Sequence, residues 1–234
     1  MELYNDECLK KMKDIETNSI DLLFCDLPYG QTECKWDCLI DLDEFWKQAN
    51  RICKDTTPMF FTCSTKFGVS LINSNPKNFR YDLVWVKSAP CGFLNAKKMP
   101  MKKHEMIYVF YKKLPLYDIS SHSHKFLKET ESKRKGKGVY DGSKKEICNR
   151  YDPPLPNSIL EVASEKGKHP TQKPVGLIEF CLKYYSKEGD KVLDPTMGSG
   201  STGIACKNMN RQFIGIEMDK EIYDKAVERL SSVV

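Results

Sequence analysis

Hydrophobic and polar positions along the chain follow two periods, one typical of strands and one typical of helices. Short apolar runs that end at turn residues predict strands, and apolar residues three or four positions apart predict helices. The predicted strands cover residues 21–25, 59–63, 81–86, 106–111, 191–194 and 212–217, after a short first strand that ends before Asp6. The predicted helices cover residues 42–52, 66–72, 176–185, 201–207 and 222–230. This alternation predicts an α/β domain in which helices cover both faces of a mostly parallel sheet.

The regular pattern is interrupted between Lys112 and Lys168, where Ser, Lys, Gly and Pro are frequent. Such a composition predicts an inserted region with little regular structure. We therefore expect residues 1–111 and 169–234 to be the two halves of one domain, separated by an insert at residues 112–168. The strand at residues 106–111 is expected at or near the edge of the sheet.

Positive charge is concentrated in one third of the chain. The whole sequence has 37 Lys or Arg and 32 Asp or Glu, but the stretch from Lys87 to Arg150 alone has 16 basic and 6 acidic residues. A basic region of this kind suits a polyphosphate partner, although a solvated lysine-rich loop would have the same composition. Aromatic residues and glycines lie between the lysines, as in Lys125-Phe126, and this favours a nucleic acid.

Composition also excludes several classes of protein. No apolar run approaches the ~18–20 residues that a membrane span needs, and the first residues are acidic where a secretory signal would be basic. The 10 cysteines form no CxxC pair and lie mostly in apolar runs, which predicts buried, reduced thiols and a cytoplasmic location without membrane contact. We expect no metal site, because one group that could be assembled on paper matches no familiar zinc spacing: Cys34, Cys38, His122, His124 and Cys148.

A glycine-rich turn follows the strand at residues 191–194. Residues 194–203 read Asp-Pro-Thr-Met-Gly-Ser-Gly-Ser-Thr-Gly, and the next strand ends at Glu217. A glycine turn before a helix, with an acid after the second strand, predicts a site for an adenosine-type cofactor, whereas a plain tight turn is the alternative. Only 17 residues follow Glu217, so most of the sheet comes from upstream chain and the order of elements is permuted relative to a nicotinamide-binding domain. The carboxylate of Asp194 disfavours a pyrophosphate and favours a cation, and S-adenosylmethionine has both a positive charge and a ribose for Glu217.

A second motif, Asp26-Leu-Pro-Tyr29, lies at the carboxyl end of an apolar strand, where open α/β sheets bind ligands. It resembles the (D/N/S)PP(Y/F) signature of amino-methyltransferases that act on nucleic acids. The segment His169-Pro-Thr-Gln-Lys-Pro174 resembles the one before the cofactor-binding helix in these enzymes, and residues 194–203 resemble their glycine motif. The order of the three motifs resembles that of the beta group of DNA N6-adenine and N4-cytosine methyltransferases. The resemblance covers residues 1–111 and 169–230.

The resemblance implies a fold and a set of site residues. The fold is a Rossmann-like methyltransferase domain with a mostly parallel seven-stranded sheet, one antiparallel strand and a circularly permuted motif order. The implied catalytic residues are Asp26, Leu27, Pro28 and Tyr29. The implied cofactor-binding residues are Asp6, Asp26, Thr171, Gln172, Lys173, Asp194, Pro195, Thr196, Gly198, Ser199, Gly200, Ser201, Thr202 and Glu217.

By the same resemblance, the Asp26 carboxylate and the Leu27 carbonyl accept the two hydrogens of a target amine, and Tyr29 stacks on the flipped base. Pro28 stiffens this turn. In the cofactor site, Glu217 is implied to bind the ribose. The further roles are Asp6 at the adenine, Asp194 at the amino group, the backbone of 198–202 at the methionine end, and Thr171, Gln172 and Lys173 beside the carboxylate.

The sequence departs from the family pattern at two places. Leu27 stands where a first proline is usual, and Thr196-Met197 stands where many relatives have an aromatic residue near the cofactor. Leucine keeps the backbone carbonyl that the chemistry uses, provided that this oxygen points into the site. The second departure leaves the packing around the adenine open.

The resemblance implies a DNA methyltransferase in the cytoplasm of a bacterium or a phage-infected cell. Asp at the first catalytic position with Tyr at the fourth favours N6 of adenine in duplex DNA over N4 of cytosine. The insert at residues 112–168 is then the target-recognition region, with further phosphate contacts from Lys97, Lys98, Lys102 and Lys103. A DNA-binding protein with a vestigial cofactor site and a nicotinamide oxidoreductase are the alternatives. The residues do not decide whether the protein forms a homodimer or has a companion restriction endonuclease.

Overall fold

Strands and helices alternate through most of the chain, as the hydrophobic pattern predicts. The computed structural model describes residues 1–28, 39–120, 125–132, 146–152, 155–165 and 172–232. The strands are β1 (Glu2–Asn5), β2 (Leu22–Cys25), β3 (Met59–Cys63), β4 (Phe79–Cys91), β5 (Lys102–Phe110), β6 (Lys125–Ser132), β7 (Glu146–Asp152), β8 (Ile159–Glu161), β9 (Lys191–Asp194) and β10 (Gln212–Glu217). The helices are α1 (Cys8–Met12), α2 (Leu42–Ile52), α3 (Thr65–Ser74), α4 (Val175–Tyr185), α5 (Ser201–Asn208) and α6 (Lys220–Ser232), and a 3-10 helix covers Phe93–Asn95.

The larger sheet has eight strands in the order β1-β10-β9-β2-β3-β5-β4-β8. All of these strands are parallel except β5, which is antiparallel to both of its neighbours. One antiparallel strand was expected, but the expected number of seven strands is wrong because β8 adds an eighth at the edge. The expected position of residues 106–111 near the edge is also wrong. The run from Ile107 to Phe110 is buried, as is usual for a strand with neighbours on both sides.

The stretch expected to lack regular structure contains three strands. β6 and β7 pair antiparallel as a separate two-stranded sheet, and β8 pairs with β4 through partners such as Val84 and Ile159. β8 has only three residues, which is too short for a periodic pattern, and β6 is mostly polar. Their pairing therefore left little hydrophobic signal in the sequence.

The chain forms two compact units. One consists of Met1–Asp118 and Ser158–Val234, and the other of Ile119–Asn157. The first contains the eight-stranded sheet and the second contains the β6–β7 hairpin. None of the helices in the described ranges is long and apolar enough to cross a membrane.

Parallel pairing brings the carboxyl ends of distant strands to one edge of the sheet. In β10, Gly215 pairs with Asp194 of β9, and Glu217 pairs with Asn5 of β1. β9 in turn pairs with β2, the strand that precedes Asp26. The predicted catalytic turn and the predicted glycine turn therefore follow adjacent strands, although they are far apart in sequence.

An aromatic cluster forms the core under β3 and β5. Trp46 of α2 packs edge-on against Phe61 with ring centroids 5.3 Å apart, and Phe110 lies 5.4 Å from Phe61. The amino end of α2 is capped by Asp41, which accepts backbone N–H groups of the first turn. Burial of this apolar face holds α2 against the sheet and so supports the edge at which the motifs meet.

Most described cysteines are buried thiols, as expected. Six free cysteines are buried and Cys91 is exposed; the buried ones are Cys8, Cys25, Cys53, Cys63, Cys181 and Cys206. Burial raises the pKa of the Cys53 thiol to about 12, which makes it unreactive. The side chains of the group that could be assembled on paper as a zinc site (Cys34, Cys38, His122, His124, Cys148) lie outside the described part of the structure.

Candidate active site

A cleft of about 810 Å³ opens at the carboxyl edge of the sheet. This volume lies within the range of sites that bind cofactors and small molecules. Residues of both predicted motifs line it together with residues from β4, β5 and the segment after β8. The residues that line the cleft include Asp26, Leu27, Pro28, Trp85, Lys87, Lys102, Glu105, Glu165, Gln172, Lys173, Pro195, Thr196, Gly198 and Glu217.

Asp26 is held by donors from three different parts of the chain. Its Oδ1 accepts a hydrogen bond of 2.7 Å from the hydroxyl of Thr62, and its Oδ2 accepts one from the ammonium of Lys173. The hydroxyl of Thr196 donates to the backbone carbonyl of Asp26 at 3.1 Å. The carboxylate is therefore fixed in orientation while its side chain stays 30% exposed to the cleft.

Lys173 links Asp26 to a second carboxylate. Its Nζ lies 3.7 Å from Oε2 of Glu105, whose Oε1 pairs with Lys87. Burial alone would lower the pKa of the Lys173 ammonium, but the charges of Asp26 and Glu105 outweigh it, so the pKa is raised above its ordinary value. The resemblance implies that Lys173 lies beside a cofactor carboxylate, and in the structure its ammonium donates to Asp26, the predicted catalytic carboxylate.

Asp194 supports the glycine turn from below instead of lining the cleft. Its Oδ2 accepts a hydrogen bond of 2.5 Å from the Thr202 hydroxyl, and its Oδ1 accepts the N–H of Thr196 at 3.1 Å. The residue is 4% exposed, and burial raises the pKa of its carboxyl from 3.8 to about 7. Asp194 thus closes the turn between β9 and α5, and its expected contact with a cofactor amine stays a prediction.

Glu217 meets the glycine turn at the cleft surface. Its two carboxylate oxygens accept the N–H groups of Gly198 at 3.1 Å and Asp219 at 2.9 Å. Burial raises the pKa of the Glu217 carboxyl above its ordinary value, and these N–H donors act in the opposite direction. Each oxygen of a carboxylate has two lone pairs, so a carboxylate in this position can also accept hydroxyl groups of a ligand.

Two glycines give the turn its open shape. Gly198 has φ of 51° and Gly200 has φ of 79°, in the left-handed region that favours glycine. A Cβ added at Gly198 would meet no atom within 4 Å, so this backbone faces open space. An adenosine-type cofactor fits here, because its ribose can reach Glu217 and its chain can approach the uncovered backbone of Gly198.

The predicted cofactor residues separate into two groups. Those that line the cleft are Asp26, Gln172, Lys173, Pro195, Thr196, Gly198 and Glu217. Those that do not line it are Asp6, Asp194, Ser199, Gly200, Ser201 and Thr202. Arg229 donates hydrogen bonds to the Ser199 and Ser201 hydroxyls. Asp6 pairs with Lys10. The side chains of Ser199, Ser201 and Asp6 therefore have partners within the protein.

Tyr29 and Thr171, both predicted site residues, lie outside the described part of the chain. Leu27 and Pro28 line the cleft. The Leu27 side chain is 2% exposed and joins the hydrophobic core. A leucine can therefore stand where relatives have a proline, because its side chain packs inward and its backbone carbonyl remains in the turn.

Sequence reasoning missed three residues of the site. Thr62 is a buried polar residue within the apolar run of β3, and Glu105 directly precedes the strand predicted at residues 106–111. Glu165 lines the cleft and accepts hydrogen bonds from the Gln172 amide at 2.9 Å and the Val175 N–H at 2.8 Å. Of the three, only Thr62 could have been found from the sequence, because a hydroxyl group within a buried apolar strand needs a hydrogen-bond partner.

Known proteins resemble this chain over nearly its whole length. M.HinfI of Haemophilus influenzae, a Type II methyltransferase, is 27% identical over 97% of this chain and 67% of its own length. YhdJ of Escherichia coli (strain K12), a DNA adenine methyltransferase, is 29% identical over 96% of this chain and 80% of its own length.

Solved structures agree with the fold. The M1.HpyAVI–SAM complex has a TM-score of 0.66 and 25% identity, covering 97% of this chain and 98% of that one. The PvuII cytosine-N4-specific DNA methyltransferase has a TM-score of 0.72 and 17% identity, covering 97% and 85% respectively, and shows the fold alone. A family model described as DNA methylase, for N6 and N4 methyltransferases, matches residues 20–228. The chain belongs to this family of N6/N4 DNA methyltransferases.

Proposed function

We propose that this chain transfers a methyl group to the exocyclic N6 amine of an adenine that is flipped out of duplex DNA. The observation that carries the proposal is that Asp26, Thr196, Gly198 and Glu217 line one cleft, where the catalytic turn and the glycine turn meet. S-adenosylmethionine is the cofactor of the family, and it supplies a methyl group activated by a sulfonium. Glu217, Gly198 and Thr196 are the residues that would hold it.

The chain's own groups prepare the amine for attack. The lone pair of an exocyclic amine is delocalised into the ring, which makes the nitrogen a poor nucleophile. Asp26 accepts one amine hydrogen and the carbonyl of Leu27 accepts the other, so that the nitrogen becomes more tetrahedral and its lone pair is available. Catalysis of this kind consists of positioning and of stabilising the positive charge that grows on nitrogen.

The transfer needs neither a metal nor a covalent enzyme intermediate, because the sulfonium already activates the methyl group. The nitrogen–carbon bond forms as the carbon–sulfur bond breaks, and one proton leaves the alkylated nitrogen through Asp26 toward solvent. Lys173 stays charged at neutral pH because its pKa is raised, so it keeps a positive charge beside Asp26 and does not take up this proton.

Adenine is favoured over cytosine by the motif and by relatives. Asp26 occupies the first catalytic position, where the family resemblance connects Asp, with Tyr29 at the fourth, to adenine. YhdJ, a relative at 29% identity, is a DNA adenine methyltransferase. The cytosine-N4-specific PvuII enzyme shares the fold at 17% identity. N4-cytosine methylation is the second candidate function.

We further propose that residues 112–168 carry target recognition, as their excess of lysine suits phosphate contacts. This includes the β6–β7 hairpin. Duplex DNA is the expected partner.

Transfer of a tritiated methyl group to duplex DNA tests the activity. We expect incorporation with the full chain and a loss of about 100-fold or more with Asp26→Ala, in line with removal of a group that stabilises transition-state charge. Asp14→Asn, an exposed carboxylate that does not line the cleft, is the matched control and should retain activity. Incorporation that is the same with Asp26→Ala would contradict the assignment of Asp26.

Digestion of the product DNA to nucleosides separates the two candidates. N6-methyl-2′-deoxyadenosine supports the proposal, and N4-methyl-2′-deoxycytidine replaces it with the second candidate. Sequencing host DNA for modified bases, with and without expression of the gene, then gives the recognition site. An unlabelled product with DNA binding intact would favour a vestigial cofactor site.

A further inference from the structure

The turn that joins β4 to β5 exposes a group of large apolar side chains. We call residues 92–101 the β4–β5 tip. Its Phe93 is 81% exposed, Leu94 95%, Met99 58% and Met101 41%. Side chains of these types are usually buried, so a group of four within nine residues marks a surface that binds something.

Backbone hydrogen bonds hold the tip in one conformation. Gly92 has φ of 93°, in the left-handed region that favours glycine, and the 3-10 helix Phe93–Asn95 follows it. The N–H of Asn95 donates to the carbonyl of Gly92 at 3.0 Å, and the N–H of Lys98 donates to the carbonyl of Asn95 at 2.8 Å. The apolar side chains are therefore presented by a turn of defined geometry.

The tip begins where a wall of the cleft ends. β4 and β5 remain paired as far as Cys91 and Lys102, and both of these residues line the cleft that contains Asp26. A macromolecule that delivers one of its groups to Asp26 passes this part of the protein.

The charge of the tip and of the adjoining residues indicates which class of macromolecule binds there. Four lysines and no acidic residue lie between Gly92 and His104; the lysines are Lys97, Lys98, Lys102 and Lys103. This pattern complements phosphates. A second copy of the chain, docked tip to tip about a two-fold axis, would instead bring two sets of lysines together. The surface therefore suits duplex DNA better than a second copy.

We infer that the β4–β5 tip is the wedge that enters the DNA at the target base. Phe93 and Leu94 enter the base stack and occupy the space that the extruded adenine leaves, and the lysines hold the adjacent phosphates. Extrusion of a paired base costs a few kcal/mol, and apolar side chains inserted between bases offset such a cost in other DNA-binding proteins. This inference rests on the proposed function.

The test compares two DNA substrates that carry the site found by sequencing. In one the target adenine is paired, and in the other it lies opposite an abasic position, so that it is already unpaired. The double variant Phe93→Ala/Leu94→Ala is compared with Val69→Ala, a valine of α3 that is 54% exposed and does not line the cleft. All of these side chains are exposed, so the unfolding midpoint should not change.

We expect the double variant to lose about 10- to 100-fold in kcat/KM on the paired substrate and less than about threefold on the abasic one. Val69→Ala should match the wild type on both. A substrate with 2-aminopurine at the target should show less fluorescence increase on binding the double variant.

Other outcomes separate the two proposals. Wild-type protein that methylates neither substrate contradicts the proposed function itself, and the wedge falls with it. Wild-type methylation with an equal loss on both substrates in the double variant, or with no loss on either, overturns the wedge alone. A change from dimer to monomer in sedimentation, with activity that then depends on protein concentration, would identify a second copy as the partner and also overturn it.

Discussion

The ammonium of Lys173 donates a hydrogen bond to Oδ2 of Asp26, although the two residues are 147 positions apart in the chain. The same ammonium lies 3.7 Å from Oε2 of Glu105. One buried cation thus compensates two carboxylates at the cleft. The Lys173–Asp26 pair connects the segment before α4 to the turn after β2. The position of each segment therefore depends on the other.

Replacing Lys173 tests this coupling. Lys173→Met leaves two carboxylates without their shared cation, and we expect the free energy of unfolding to fall by roughly 1–3 kcal/mol. Methyl transfer should fall by about 10- to 100-fold because Asp26 loses a group that orients it. Denaturant unfolding and label transfer measure the two effects.

The double variant Lys173→Met/Glu105→Gln provides the control. It also removes one of the two carboxylates that Lys173 contacts, so its loss of stability should be smaller than the sum of the two single losses by about 0.5–3 kcal/mol. Strictly additive losses would show that Lys173 and Glu105 do not interact.

The hydroxyl of Thr62 is predicted to position Asp26. Thr62→Val keeps the shape of the side chain and removes the 2.7 Å hydrogen bond to Oδ1 of Asp26. We expect kcat to fall by about tenfold with unchanged cofactor affinity, and stability to fall by about 1 kcal/mol.

Thr57 offers a matched control for this change. It is also buried, and its hydroxyl donates to the backbone carbonyl of Ile20 at 2.6 Å, away from the cleft. Thr57→Val should cost similar stability and leave kcat as it is. An equal fall of kcat in both variants would mean that Thr62 acts only through stability.

Glu217→Gln is predicted to weaken cofactor binding. The amide would place an N–H group against one of two backbone donors, Gly198 or Asp219, and would lose the charge that attracts ribose hydroxyls. We expect the Kd for S-adenosylmethionine to rise by about 10- to 100-fold in calorimetry. Glu221→Gln, an exposed acid in the first turn of α6, should leave Kd unchanged. An unaltered Kd in Glu217→Gln would remove this residue from the cofactor site.

The raised pKa of the Asp194 carboxyl predicts that the free energy of unfolding depends on pH. The pKa of its carboxyl is raised from 3.8 to about 7 in the folded protein, so the folded state holds a proton that the unfolded state has lost across this interval. Stability from this group is therefore greatest at low pH and is lost as pH rises toward about 7. Between pH 6 and pH 8 we expect a loss of about 1.4 kcal/mol, or roughly 3–5 °C in Tm.

Asp194→Asn isolates this contribution. The amide keeps an oxygen for the Thr196 N–H and cannot titrate, so the difference in Tm between wild type and variant should change across the same pH range. Parallel Tm curves for the two proteins would show that Asp194 does not titrate between pH 6 and pH 8 and would contradict this prediction.

The hydrophobic pattern predicted most of the elements. α2 at Leu42–Ile52, β3 at Met59–Cys63 and β10 at Gln212–Glu217 have the predicted bounds. These elements bury an apolar face or an apolar run in the core, so the spacing of their hydrophobic residues predicts them from the sequence. β8, with three residues, owes its place to backbone pairing with β4 and has no such periodicity.

The motifs also predicted which turns form the cleft, because residues at the ends of parallel strands share one edge of the sheet. They did not predict what each side chain contacts. The hydrogen bonds from Thr202 to Asp194 and from Lys173 to Asp26 had no signal in the motifs.

The sequence by itself determined the alternation of strands and helices, the family and the two turns that meet at the cleft. Only the tertiary structure decided how the charges are paired, since an ion pair depends on distances between atoms that chain order does not specify. It also decided that β5 lies inside the sheet, because strand order results from packing among all strands together. For this protein, local patterns encode the elements, whereas long-range contacts such as the one from Lys173 to Asp26 make them a site.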